Sequence, residues 1–320
     1  MGRGRASMPS CVARHFVRPL LSNPSVKKLA AILLGLAALT ASGADLPPIT
    51  APATNESHPG KFIWGDLFTS DPATAATFYT GLFGWTATTV DRPSLLGTRH
   101  YTVLAVGDRP VAGIVRRTAR AGDEIHGRWI GFISVQDVAQ ALAAATAGGG
   151  KTLSGPKDRP ARGTQAIISD PDGATLGLIH SSSGDPGEFL PGVGDWTWAE
   201  LFARNPSAAG AFYHTVAGYD VVPDTRGGGT NKFALVSGGF SRAGVNPVAA
   251  RPKAHPAWLL FVRVASVKDA AAKAVALGGR VLVPPTDAPS EYWRAIVADP
   301  TGAPLGLVEL GDAAAAKEGP

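Results

Sequence analysis

Two acidic residues, Asp66 and Glu200, stand in matching surroundings: Trp64-Gly65-Asp66-Leu67-Phe68 returns as Trp198-Ala199-Glu200-Leu201-Phe202. Strand alternation puts Phe62, Trp64, Asp66 and Phe68 on one face and Ile63 and Leu67 on the other, and Trp196, Trp198, Glu200 and Phe202 repeat the pattern. A carboxyl group among aromatic rings is desolvated, which raises its pKa and suits it to general acid or base work near neutral pH. The plainer reading, preferred here, is that each carboxylate accepts hydrogen bonds from backbone or from a cation such as Arg263. The indoles of Trp64 and Trp198 offer flat apolar surface and one donor each, suited to an aromatic or planar ligand and equally to core filling.

Histidines form the second candidate set. His126 and His255 recur in His-x-x-Trp, ahead of Trp129 and Trp258, while His100 has no counterpart in the matching strand Asn231-Lys232-Phe233. A histidine bonding a loop carbonyl at a strand start is the favoured reading of the recurring pair, with a displaced metal site as the alternative. Trp293 stands where the first copy has Thr164, so the second copy is expected to be filled and the first open. The run Arg226-Gly227-Gly228-Gly229 lacks the Lys-Ser/Thr of a phosphate loop and marks a turn. The single cysteine, Cys11, leaves the rest of the chain without disulfide, thiolate nucleophile or cysteine-based zinc site.

These residues sit in a 320-residue chain that is 45% hydrophobic and 17% charged, long enough for two domains and too apolar for disorder. Of its 30 basic residues six precede position 45, where no acid occurs, so residues 45–320 hold 24 basic against 25 acidic residues. That balance removes the electrostatic support for a nucleic-acid partner. Lys27 and Lys28 precede an apolar run from Leu29 to Leu39 that ends in Ser42-Gly43-Ala44. This pattern predicts a signal peptide over 1–44 and export to the periplasm or beyond, with no membrane attachment after cleavage. The run is shorter than the roughly 20 residues of a spanning helix. Residues 45–61, with Pro47, Pro48, Pro52 and Pro59, read as a linker, and 312–320 as a disordered tail.

Self-comparison explains the pairing of sites. Phe78-Tyr79-Thr80-Gly81-Leu82-Phe83-Gly84-Trp85 returns as Phe212-Tyr213-His214-Thr215-Val216-Ala217-Gly218-Tyr219, and Asp170-Pro171-Asp172-Gly173-Ala174 returns as Asp299-Pro300-Thr301-Gly302-Ala303. Two domains follow, 62–182 and 195–311, joined by 183–194. In each, a strand leads into a helix and then three strands, and the order restarts once. The expected class is α+β, each domain pairing two βαβββ motifs into a curved mixed sheet with helices outside and a pocket within.

The strand, Asp-Pro helix start, Phe-Tyr, Leu-Phe-Gly-Trp and Asp-Pro-Asp-Gly in this order resemble the vicinal oxygen chelate superfamily. That group holds glyoxalase I, extradiol dioxygenases and the fosfomycin and bleomycin resistance proteins; within it the chain looks most like tandem-domain glyoxalase-like proteins. The resemblance implies a divalent metal held by residues on the first, fifth and last strands of a domain. Counted from the helix starts and final turns, those positions fall on Trp64, Ile130 and Gly177, and on Trp198, Leu259 and Gly306. None is a metal ligand. His180 and Glu309 lie three residues beyond the carboxylate position, hence on the opposite face. His126 and His255 lie roughly 13 Å short of theirs at strand rise. No cofactor is therefore expected.

The leading expectation is an exported protein, a monomer or homodimer, that binds a small aromatic or planar molecule without metal, through Trp64, His100, His126, Trp198, His255 and Trp293. The alternatives are an enzyme using Asp66, Glu200 or a non-standard metal site, and an interaction module with self-filled pockets. Fold alone does not choose among them.

Overall fold

The computed structural model describes residues 46–94, 97–118, 127–225, 230–248, 255–285 and 292–310, without the side chains of 93, 94, 97, 292 and 293. The leader, the C-terminal tail, the Arg226–Gly229 run and His126 lie outside the described residues. Among those residues no helix is long and apolar enough to cross a membrane.

Each domain begins with a strand that runs into a capped helix. In the first, β1 (Phe62–Thr69) leads to α1 (Pro72–Phe83), where Asp71 accepts from Thr74 N at 3.1 Å and Pro72 needs no amide partner. Three strands follow: β2 (Thr86–Ser94), β3 (Gly97–Val106) and β4 (Arg109–Arg116). The unit repeats as β5 (Arg128–Ser134), α2 (Val138–Ala147), β6 (Lys151–Arg159), β7 (Gly163–Ser169) and β8 (Thr175–Ser181).

The second domain copies this with β9 (Trp196–Ala203), α3 (Pro206–Ala217), β10 (Asp220–Pro223), β11 (Phe233–Ser237) and β12 (Phe240–Pro247). Its second motif is β13 (Ala257–Arg263), α4 (Val267–Ala276), β14 (Arg280–Val283), β15 (Tyr292–Ala298) and β16 (Pro304–Leu310). Asn205 caps α3 through Ala208 N at 3.2 Å. Both leading helices stop at a glycine with φ of 72°, Gly84 and Gly218.

The strands form two eight-stranded mixed sheets of identical order, β2-β3-β4-β1-β5-β8-β7-β6 and β10-β11-β12-β9-β13-β16-β15-β14. Antiparallel β1–β5 and β9–β13 pairs join the two motifs of each sheet. This is the α+β tandem architecture that the repeats imply.

The helix-bearing faces of the two sheets share one core. Leu67, Phe78 and Leu178 of the first domain belong to the same buried cluster as Leu201, Phe212 and Leu307 of the second. Gly131 permits the approach: a Cβ there would lie 2.8 Å from Phe62 and 2.9 Å from Leu260. The helices pack in cross pairs, α1 with α4 and α2 with α3.

Two buried triads tie the domains across this core. Tyr79 OH donates to Asp299 at 3.0 Å and accepts from Trp129 Nε1 at 2.8 Å. Tyr213 OH donates to Asp170 at 3.2 Å and accepts from Trp258 Nε1 at 2.9 Å. Each aspartate also holds its own turn, accepting from Ala174 N at 2.8 Å or Ala303 N at 2.9 Å. Burial pushes both carboxyl groups above the usual carboxylate range and both phenols well above theirs.

Strict alternation fails at one point in each first strand. The register shifts between Phe62 and Trp64, which pair with Ile133 and Phe132, so Ile63 is an extra residue. Ile63 therefore joins the concave cluster beside Trp64, while Phe62 turns to the shared core, its ring 5.2 Å from Trp258. The same shift in β9 sends Trp196 away from the pocket face, with its ring 5.2 Å from Trp129 and 5.6 Å from Trp85. A bulge moves the residues before it to the opposite face, which period-two counting misses.

Candidate functional site

The concave face of the first domain is packed from below. Asp66 Oδ1 accepts from Trp64 Nε1 at 2.8 Å and from Tyr101 OH at 2.6 Å. Arg162, 0% exposed, lies 3.9 Å from the Trp64 ring centre and donates to Tyr101 OH at 3.1 Å and Pro47 O at 2.9 Å. Pro47 belongs to the stretch read as linker. That stretch is a strap: Leu46 and Ile49 are buried in the concave cluster, and Thr50 and Thr54 bond residues 183 and 185. Trp64 is left 2% exposed.

The second domain builds the equivalent place differently. Glu200 is buried and pairs with Arg294 Nη1 at 2.8 Å. Its cation is thus Arg294; Arg263 Nη1 donates to Pro191 O. Interstrand register places Arg294 where the first domain has Gln165, and Lys232 where it has Tyr101. Burial pushes the Glu200 carboxyl up, against the opposing pull of Arg294, the Trp198 indole and Lys232. Trp198 is only half-buried. With Thr197, Glu200, Phe261, Arg294 and Val308 it lines a cavity of about 130 Å³.

Thr197 and Trp198 are shared with a larger groove of about 390 Å³, walled by Phe189, Trp196 and Phe240 and bordered by Lys61, Glu188 and Arg242. Burial alone would raise the Glu188 carboxyl, yet hydrogen bonds from Arg242 and Lys61 outweigh it and hold it at about 2. The second domain has the more exposed tryptophan, while the larger cavity, about 510 Å³, lies in the concave face of the first. The Trp293 side chain lies outside the described residues.

The row of positions that would hold a metal is visible in the registers. Trp64 lies opposite Phe132, and Phe132 opposite Gly177; Trp198, Phe261 and Gly306 repeat the row. The middle positions are therefore Phe132 and Phe261, two residues beyond Ile130 and Leu259, because cross-strand pairing rather than distance from a helix sets the level. A Cβ on Gly177 would fall 2.2 Å from the Phe132 ring, and one on Gly306 2.1 Å from Phe261. Indole, phenyl and glycine supply no donor for a divalent ion, and the ring fills the space a carboxylate would need, so these residues do not fit the metal. Among the described residues no group of three His, Cys, Asp or Glu is placed to hold one.

The remaining candidates scatter. His100 is exposed and bonds Asp91 at 2.7 Å, and His255 is exposed just before β13 in the other domain. His180 is exposed with Nδ1 3.2 Å from Val135 O, and Glu309 accepts from Val267 N at 2.8 Å. Tyr101, Arg162 and Arg294 had no sequence signal, since each acts across strands or from a loop.

Residues 61–178 match the Glyoxalase/Bleomycin resistance protein/Dioxygenase superfamily, and residues 198–308 match a glyoxalase-like domain. The chain is 30% identical over 252 residues to the putative glyoxylase CFP32 of Mycobacterium tuberculosis, covering 79% of this chain and 95% of that one. It is 30% identical over 263 residues to the anthracycline biosynthesis protein DnrV of Streptomyces peucetius, covering 79% and 94%.

Similar solved structures include the Mn(II)-bound glyoxalase from Novosphingobium aromaticivorans, with TM-score 0.53 and 16% identity over 79% of this chain and 83% of that one. The 2,3-dioxygenase LapB from Pseudomonas sp. KL28 has TM-score 0.52 and 13% identity over 80% and 93%. At such identities the structural likeness is one of fold. The matches over both halves, with relatives at 30% identity across nearly their whole length, make the chain a tandem-domain member of the glyoxalase/bleomycin resistance protein/dioxygenase superfamily.

Proposed function

We propose that this chain is an exported, metal-independent member of its superfamily that binds a small planar or aromatic molecule in the second domain. The observation that carries the reading is the half-buried Trp198, set beside the Glu200–Arg294 pair in the wall shared by a cavity and an aromatic groove. A flat apolar ring would stack on the indole, and a carbonyl or hydroxyl would meet the ion pair. The donor-free row at Trp198, Phe261 and Gly306 supports binding without metal. Relatives named for anthracycline biosynthesis support the ligand class, because anthracyclines are built on planar fused rings.

Titration of the purified chain with an anthracycline aglycone, read by tryptophan fluorescence and melting temperature, tests this. Wild type is expected to bind and gain stability, and Trp198→Ala to weaken binding roughly tenfold or more. Equal binding by both proteins sinks the site, and a stoichiometric divalent metal in native mass spectrometry sinks metal independence.

A second reading rests on the raised Glu200 carboxyl, which is suited to exchange a proton with a bound molecule. Under it Glu200→Gln retains binding and loses turnover.

A further inference from the structure

A second cavity, of about 330 Å³, adjoins the aromatic groove. The strap (49–54), the linker (186–191) and the first residues of β1 and β4 enclose it, and it shares no lining residue with the cavity in either concave face. With the groove it shares five: Lys61, Phe62, Phe189, Pro191 and Trp196. Groove and cavity are therefore two sides of one wall, set along the seam where strap and linker meet the domains. Phe189 is the one exposed member of that wall, at 49%. Its ring is flanked by cations, with Arg109 Cζ 5.4 Å and Lys61 Nζ 5.6 Å from the centre.

The polar groups around the cavity are spent inside the chain. Thr50 Oγ1 donates to Ser183 O at 2.8 Å, and Thr54 Oγ1 donates to Asp185 O at 2.7 Å. Trp196 Nε1 donates to Val111 O at 2.9 Å. Lys61 Nζ holds Pro186 O at 2.9 Å and Gly187 O at 2.7 Å, and at the exposed rim Arg109 pairs with Asp195. Beneath that rim an occupant meets Ile49, Ile63, Val111 and the aromatic wall. A polar atom carried there would lose its water without gaining a partner, whereas hydrocarbon gains from the burial. The chemistry of the lining thus selects an apolar group, and its position selects one attached to whatever fills the groove.

We propose that this cavity takes an apolar arm of the molecule whose planar ring lies on Trp198, so that the ligand crosses the wall at Phe189. The assignment rests on the proposed seating of the ring and narrows the ligand class, from a bare planar molecule to a planar ring bearing a hydrocarbon chain.

Calorimetric titration of the full chain with 2-ethylanthraquinone and 2-pentylanthraquinone tests the proposal. The two share a ring and differ by three methylenes, each worth about fourfold in affinity when fully buried. The pentyl compound is expected to bind roughly tenfold or more tightly. Ala51→Trp, at an exposed position on the cavity lining, fills the space with an indole. It is expected to remove most of the preference while leaving the affinity for the ethyl compound unchanged, which also reports that the variant is folded. Trp198→Ala is expected to weaken both ligands alike. Equal affinities in wild type, or a preference that survives Ala51→Trp, would overturn the arm site and leave the ring site standing. Failure of wild type to bind either quinone, or binding unaffected by Trp198→Ala, overturns the ring site and the arm site with it.

Discussion

The two concave faces are copies of one strand pattern, yet they treat the tryptophan at their centre in opposite ways. In the first domain Trp64 is covered by the Arg162 guanidinium and sealed by Leu46 and Ile49, and its neighbouring carboxylate accepts from an indole and a phenol. In the second Trp198 is half-buried, and the carboxylate beside it meets Arg294 and Lys232. Duplication thus left one tryptophan closed into structure and the other with surface for a ligand. Two exchanges at aligned positions, Tyr101 against Lys232 and Gln165 against Arg294, accompany this difference, together with the strap over the first face.

The largest expected effect breaks the closed face. Arg162→Ala removes the cation that anchors Tyr101 and the strap, and is expected to cost about 3–5 kcal/mol in denaturant unfolding, as for loss of one partner from a buried charged network. A cost below about 1 kcal/mol would mean that Arg162 does not close the first domain.

Ile49→Ala leaves a cavity in the cluster that holds Trp64 and is expected to cost about 2–4 kcal/mol. Tryptophan emission should shift to the red as water reaches the ring. An unshifted spectrum with that loss would place the seal at Leu46.

The comparison also has a pH signature. Asp170, Asp299 and Glu200 all have carboxyl groups raised by burial, so the folded state holds protons that the unfolded chain releases. Their contribution is fully present below the ordinary carboxylate range of about 4 and is lost as pH rises through their folded values. Glu188, held at about 2, acts in the opposite sense and loses its contribution as pH falls below its ordinary value. Stability is therefore expected to decline from mildly acidic toward neutral pH, and Glu200→Gln to flatten part of that slope. A slope unchanged in Glu200→Gln would assign it to the interdomain aspartates.

The smallest expected effect is at the open face. The Arg294 side chain is 49% exposed, so Arg294→Ala is expected to cost about 1 kcal/mol or less. A loss as large as that of Arg162→Ala would erase the contrast between the faces.

Much of this was legible before folding. The repeats announced two domains of paired βαβββ motifs, because turn and cap chemistry is local: Asp71 and Asn205 cap their own helices, and Gly84 and Gly218 end them. The same local logic located Asp66 and Glu200 beside tryptophans. It missed the reversal of Phe62 and Trp196, because a bulge is a mismatch between two strands and neither strand records it alone. It also missed Arg162 and the strap, whose partners lie 61 and 115 residues away along the chain.

Asp170 and Asp299 mark the division most plainly. By itself the amino-acid sequence determined that each would close a tight Asp-Pro-x-Gly turn, since the acceptor and the amides it satisfies are four residues apart. Only the tertiary structure decided that the second oxygen of each would take a tyrosine hydroxyl from the other domain and lock the two sheets together. The packing of two sheets brings those groups together, and no spacing along one chain encodes which buried donor will meet a given carboxylate.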